Sequence, residues 1–253
     1  FGGRLPAPNL KTLAGLTNYV EEHGCDIGIA TDGDADRLGV IDDKAEFLHP
    51  NKILVLLYYY LMRYRGWRGA AVRNLATTHL LDRIAEDFGE TCYEVPVGFK
   101  YVSAKMVETG AIIGGESSGG LTVRGHIQGK DGIYAAALLV EAIAKTGRRL
   151  SALWDEITQK YGAAEMAEHD FHFSSAERTR IFKLLMEDKQ LPEFPCEIAK
   201  VSYMDGCKVY FKNGGWVIAR FSGTEPLLRV FCEMDTMENA EKIAKILTEF
   251  LSL

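Results

Sequence analysis

The chain has 253 residues, 47% hydrophobic and 25% charged, with a formal net charge of −6. That supplies apolar material for one large core or two to three small ones, and the acidic balance with scattered Lys and Arg excludes the electrostatic footprint of a nucleic-acid binder. The longest apolar run, Ile53 to Met62, is about half of the roughly 18 residues that suggest a membrane span and reads as a buried helix, so no membrane partner is expected. Five widely spaced cysteines without a Cys-x-x-Cys pair predict a reducing, cytoplasmic setting. The first residues lack a signal-peptide pattern and begin with Phe1, so the natural protein is expected to start earlier.

In chain order, Leu10 to Glu22 has helical spacing, and Asp26 to Ala30 and Leu38 to Asp42 read as strands flanking an acidic loop. Helices follow at Ile53–Tyr64, Thr78–Phe88, Lys100–Thr109 and Gly132–Lys145, alternating with strands at Gly69–Asn74, Thr91–Val95 and Ala111–Gly114. This alternation predicts a βαβ-type α/β domain whose strand ends carry the site. After a helix at Ser151–Tyr161 the pattern changes. A strand is expected at Phe171–Phe173, a helix at Ile181–Asp188, strands at Lys208–Lys212, Trp216–Phe221 and Leu228–Glu233, and a closing amphipathic helix at Met237–Leu251, an α+β arrangement. Boundaries fall near residues 48 and 165.

Four stretches carry chemistry. Asp32-Gly33-Asp34-Ala35-Asp36-Arg37 sets three carboxylates at alternate positions, where they can converge on one hard divalent cation. Without a cation their repulsion would raise their pKa values, so a metal site is favoured over a solvated acidic turn. An EF-hand loop also spaces acids this way, but Arg37 stands where that loop needs glycine and the flanks read as strands. Gly114-Gly115-Glu116-Ser117-Ser118-Gly119-Gly120 ends a predicted strand and offers Glu116 and Ser118 to a polyhydroxylated ligand; alone, such a Gly/Ser stretch is more often an ordinary loop. Arg220-Phe221-Ser222-Gly223-Thr224-Glu225-Pro226, with Arg229, combines backbone amides, hydroxyls and two guanidinium forks suited to a phosphate, or equally a hairpin with surface arginines. Val95-Pro96-Val97-Gly98-Phe99-Lys100 turns a lysine toward the Gly/Ser loop, with His126 and Lys130 as further polar candidates.

In this order, the Asp-Gly-Asp-Ala-Asp-Arg, Val-Gly-Phe-Lys, Gly-Glu-Ser-Ser-Gly-Gly and Arg-Phe-Ser-Gly-Thr-Glu-Pro stretches resemble the α-D-phosphohexomutase superfamily over essentially the whole chain. The resemblance implies that residues 1–48 end a second α/β domain with the metal loop, 49–165 form a third α/β domain with the sugar loop, and 166–253 form a smaller C-terminal α+β domain of the TATA-binding-protein-like type. It implies Mg²⁺ on Asp32, Asp34 and Asp36. Arg37 would hold the reacting phosphate and Lys100 would transfer a proton. Glu116, Ser118 and Lys130 would bind the sugar, while Arg220, Ser222, Gly223, Thr224 and Arg229 would clamp the non-reacting phosphate. The expected reaction moves a phosphoryl group between C1 and C6 of a hexose phosphate, with glucose 1,6-bisphosphate as intermediate or activator. The family carries that group on a serine in a Ser-His-Asn-Pro type motif, and neither Ser-His nor His-Asn-Pro occurs in this sequence. These residues by themselves are therefore expected to be inactive. A phosphomannomutase, a non-catalytic sugar-phosphate-binding relative and a metal-dependent phosphatase are the alternatives. The Glu-Ser-Ser-Gly-Gly loop departs from the Glu-x-Ser-Gly-His form of several relatives, which argues against a phosphoglucosamine mutase.

Overall fold

The computed structural model describes residue 3, residues 5–223 and residues 225–253. The chain divides into two compact units, Phe1–Gly162 and Ala163–Leu253.

The first unit opens with α1 (Ala14–His23), followed by an antiparallel sheet of β1 (Gly28–Thr31), β2 (Leu38–Ile41) and β3 (Phe47–Leu48). Helix α1 starts later than Leu10 because the Asn9 side chain accepts from the Lys11 and Thr12 amides, an Asx turn that competes with helix. Next comes α2 (Pro50–Arg63), with Pro50 in its first turn and His49 accepting from the Asn51 amide. Eleven of the 14 residues of α2 are buried. Its tyrosine hydroxyls are satisfied where they reach polar groups: Tyr58 on the Gly69 carbonyl, Tyr59 on Glu156 and Tyr60 on Glu141.

The α/β portion then runs β4 (Ala71–Asn74), α3 (Leu80–Asp87), β5 (Cys92–Val95), α4 (Phe99–Thr109), β6 (Ile113–Gly115), β7 (Leu121–Val123), α5 (Gly132–Thr146) and α6 (Leu150–Tyr161). Its sheet order is β5-β4-β6-β7, with β4 parallel to both β5 and β6 and β7 antiparallel at the edge. The parallel strands place Asn74, Gly98 and Glu116 at one end of the sheet, where the sequence pattern expects the site. Strands β3 and β7 escape sequence reading because two or three residues are too few to display a period.

In the second unit the sheet order is β8-β12-β11-β10-β9, antiparallel throughout: β8 (Glu165–His172), β9 (Ile198–Ser202), β10 (Cys207–Phe211), β11 (Trp216–Phe221) and β12 (Leu227–Met234). Helices α7 (Ser175–Phe182) and α8 (Met237–Phe250) supply Ile181, Ala240, Ile243, Ala244 and Leu247 to the core formed with Val209, Val217, Leu228 and Val230. The expected helix at Ile181–Asp188 is instead the end of α7 followed by a π-helical turn over Lys183–Glu187. Helix α7 begins at a capping box, Ser174 with Glu177, whose spacing was readable in the sequence. Strand β8 begins six residues before the expected Phe171, its outer half masked by the charges in Glu165-Met166-Ala167-Glu168-His169-Asp170. Strand β9 is an exposed edge strand without a strong apolar alternation.

Inside the first unit, Arg73 of β4 is buried and binds Asp82 of α3 at 2.7 and 2.9 Å and Glu94 of β5 at 2.6 Å. Burial opposes its charge, but these carboxylates hold its pKa well above the ordinary arginine value. Removing the cation leaves two carboxylates without it. Because Asp82 and Glu94 are partly exposed, Arg73→Met is expected to cost roughly 1–3 kcal/mol, measured as faster native-state hydrogen exchange of β4 and β5 amides while β10 and β11 stay unchanged.

Candidate active site

Loop 32–37 is held by its own backbone and by the segments that meet it. The Asp32 amide bonds the Arg37 carbonyl at 3.3 Å and the Ala35 amide bonds the Asp32 carbonyl at 3.3 Å. Ala35 takes a left-handed conformation, φ 62°, which a non-glycine residue adopts only where its surroundings impose it. Those surroundings include the Gly132 amide, bonded to the Ala35 carbonyl at 2.9 Å. Gly132 is glycine because a Cβ there would lie 2.8 Å from the Arg37 carbonyl oxygen and 3.0 Å from that of Ala35. Arg37 also forms an antiparallel bridge with Gly120, bringing loop 32–37 onto loop 114–120.

The result gathers one carboxylate oxygen each from Asp32, Asp34 and Asp36 within 4.8 Å of one another. Oxygens about 2.1 Å from Mg²⁺ lie at most about 4.2 Å apart, and about 2.4 Å from Ca²⁺ at most about 4.8 Å. The donor set therefore fits a hard divalent cation, with a small contraction needed for Mg²⁺. Asp32 is buried, accepting from the Arg37 amide at 3.1 Å and from Arg37 Nε at 2.6 Å. Burial alone would raise its pKa, but the hydrogen bonds and charge of Arg37 hold the carboxyl below the ordinary carboxylate range. Asp36 is ion-paired with Lys130, so the third carboxylate also has a cation at hand.

The sugar loop turns tightly, the Gly119 amide on the Glu116 carbonyl at 3.1 Å and the Glu116 amide on the Gly120 carbonyl at 3.0 Å. Gly119 has φ +99°, which suits glycine. Glu116 is buried, and its Oε1 accepts from Asn74 Nδ2 and from the Gly98 amide, both at 2.9 Å. Asn74 is itself fixed, its Oδ1 accepting from the Ala76 amide and the Thr77 hydroxyl, while Thr77 Oγ1 accepts from the Ser117 amide. Both bonds to Glu116 come from neutral donors and fall on one oxygen, so its other oxygen takes no bond among the described residues. Ser118 lies exposed at the loop tip. Lys100 stands exposed in the first turn of α4, two residues beyond Gly98, with its ammonium over the Tyr101 ring at 4.9 Å. His126 stacks on Tyr134 and bonds Asp131 at 2.7 Å, bracing the start of α5 beside Lys130.

In the second unit Arg220 and Arg229 are directly opposite on β11 and β12. Like charges so placed repel, and carboxylates compensate them: Asp205 on Arg220 Nε at 2.8 Å, Glu225 on Arg229 Nη2 at 3.1 Å and Asp170 within 3.7 Å of Arg229 Nε. Arg229 Nε is buried without a hydrogen bond, a donor that an anion could satisfy. Ser222 and Gly223 form the connecting turn, the Ser222 amide on the Leu227 carbonyl at 2.8 Å. Thr224 lies outside the described residues.

The structure thus joins Asp32, Asp34, Asp36, Arg37, Glu116 and Lys130 within one unit. Sequence reasoning did not find Asn74, Thr77 or Gly132. An asparagine ending a parallel strand was the available signal for Asn74.

Three domain models of one family match the chain. The phosphoglucomutase/phosphomannomutase alpha/beta/alpha domain II matches residues 1–45, domain III residues 49–161 and the C-terminal domain residues 182–250. A phosphoglucomutase/phosphomannomutase of Thermococcus kodakarensis is 34% identical over 97% of the chain and 51% of its own length. A Methanosarcina barkeri protein named as a phosphoglucosamine mutase is also 34% identical, over 97% of the chain and 54% of its own length. Among solved structures, a Thermus thermophilus protein named as a phosphomannomutase superposes with a TM-score of 0.81 at 30% identity, covering 100% of the chain and 52% of that protein. The chain spans about half the length of the curated relatives it matches.

If loop 32–37 is a cation site, Asp34→Asn should weaken Mn²⁺ binding on the order of tenfold or more by removing a ligand charge. Calorimetric titration checks this, and an unchanged affinity would remove Asp34 from the ligand set.

Proposed function

The chain belongs to the α-D-phosphohexomutase superfamily, and from that premise we propose that the whole protein moves a phosphoryl group between C1 and C6 of a hexose phosphate, glucose 1-phosphate and glucose 6-phosphate first. The observation that carries this reading is the union of two loops: the three-carboxylate loop and the Glu116 loop are joined through the Arg37–Gly120 bridge in one unit. A polyol acceptor and a cation site side by side suit a sugar ester whose phosphate reacts at the metal end.

In this reading Asp32, Asp34 and Asp36 would hold a divalent cation, which when bound would supply charge neutralisation for a transferring phosphoryl group. Arg37, oriented by both oxygens of Asp32, and Lys130, beside Asp36, present cationic donors to the same phosphate. Glu116, oriented by Asn74 and the Gly98 amide, accepts from the sugar hydroxyls and fixes which carbon faces the metal loop. Lys100, at the edge next to Gly98, is the candidate for moving a proton to or from the reacting hydroxyl. Arg220, Ser222, Gly223, Thr224 and Arg229 are the candidates for holding the phosphate that does not react, with glucose 1,6-bisphosphate as the intermediate or activator. In this reading the phosphoryl group passes through a serine of the family's Ser-His-Asn-Pro type motif, which does not occur in these 253 residues, and the expectation is that these residues alone are inactive. Relatives named as phosphomannomutase or phosphoglucosamine mutase make mannose and glucosamine phosphates the competing substrates.

The test is a coupled assay of the full-length protein with glucose, mannose and glucosamine 1-phosphates, primed with glucose 1,6-bisphosphate, with and without Mg²⁺. Mg²⁺-dependent turnover fastest on glucose 1-phosphate is expected. Faster turnover of another sugar corrects the substrate, and no turnover of any of them sinks the mutase reading. In the same assay Asn74→Ala should lower kcat/KM by roughly tenfold, the cost of one lost hydrogen bond to a buried carboxylate, with the melting temperature of the protein measured alongside.

A further inference from the structure

Lys130 lies outside both loops it touches. It sits between β7 and α5, at the turn that also supplies Gly132 to the metal loop, and its ammonium ends on Asp36. To reach that carboxylate its stem crosses the backbone of Gly120. A Cβ on residue 120 would fall 2.2 Å from Lys130 Cδ, 2.9 Å from Cγ and 3.6 Å from Cε. Gly120 is not among the positive-φ glycines, so its backbone would accept an ordinary residue and only the lysine stem forbids one. The backbone cannot easily retreat, since it is pinned by the Glu116 amide on one side and by the Arg37 bridge on the other. The flexible partner is Lys130.

We propose that Gly120 is a positioning residue for Lys130: the bare backbone at the end of the sugar loop is the notch through which Lys130 reaches Asp36, so residue 120 decides whether a cation stands beside the metal-loop carboxylates. The three atoms nearest a Cβ at residue 120 all belong to Lys130, so a side chain there evicts the lysine while every carboxylate stays as it is in sequence. The ammonium then no longer opposes a divalent cation, and a phosphate reacting beside Asp36 loses a donor. The second consequence rests on the mutase reading, and the first does not.

The experiment is a double-mutant cycle read first by calorimetric Mn²⁺ titration of the 253-residue chain and then by kcat/KM of the full-length protein. Lys130→Met keeps the stem and removes the charge, and should tighten Mn²⁺ binding on the order of tenfold or more, as expected for removing one positive charge a few ångströms from a divalent cation in water-like surroundings. Gly120→Ala should tighten it by the same factor, and the double variant by no more than either single one. A Gly120→Ala affinity equal to wild type while Lys130→Met shifts, or two factors that multiply in the double variant, overturns the proposal. Should Gly120→Ala fail to fold, Gly120→Ala/Lys130→Ala must restore the fold by removing the clashing stem; a double variant that still fails places the clash elsewhere and overturns the proposal equally. The expected Mn²⁺ cycle in a protein without mutase turnover retires the mutase reading and leaves the notch standing.

Discussion

Three carboxylates whose oxygens lie within 4.8 Å of one another repel, and much of the first unit's architecture can be understood as the means of holding them there. Arg37 takes both oxygens of Asp32, and Lys130 takes Asp36. The left-handed turn at Ala35 bends the loop so that alternate side chains converge rather than splay. That turn is secured from outside, by the Gly132 amide and by the bridge from Arg37 to Gly120. Both contacts are backbone to backbone; a Cβ at Gly132 would meet the Arg37 and Ala35 carbonyl oxygens, whereas one at Gly120 would meet the stem of Lys130.

The Glu116 loop and the Arg220–Arg229 pair meet opposite electrostatic problems. Glu116 is a carboxyl side chain taken out of water, and one of its oxygens accepts from an amide side chain and a backbone N–H, both uncharged donors. Arg220 and Arg229 are cations set face to face, and they are held by Asp205, Glu225 and Asp170. An incoming anion must therefore compete with resident carboxylates in the second unit, whereas a hydroxyl approaching Glu116 meets an oxygen already aimed and unshared. Orientation dominates the first site and charge exchange the second.

How much of this was legible in the sequence depended on the range of the interaction. The acidic loop was legible because its alternation is local, and the parallel strands because helices separate them at a regular interval. The Glu116 loop was located by its glycines, but Asn74, 42 residues away along the chain and bonded to it, announces itself only through strand order. Lys130 was a candidate for the sugar, yet its ion pair with Asp36 spans 94 residues and depends on an absent side chain at Gly120. Short strands β3 and β7 and the edge strand β9 were invisible because neither length nor alternation marks them. The late start of α1 came from a side-chain competitor, Asn9, that propensity sums overlook.

Helix α2 has a consequence for how this chain can change over time. An amphipathic helix such as α8 offers a wet side on which substitutions are nearly free, but α2 is enclosed all round and even its tyrosine hydroxyls are engaged. Almost any replacement there must preserve volume, shape and a polar end at once. Such a helix cannot drift one residue at a time. Substitution is freer in the turns around it, where a single added Cβ, as at residue 120, would meet one flexible side chain and leave the interior as it is.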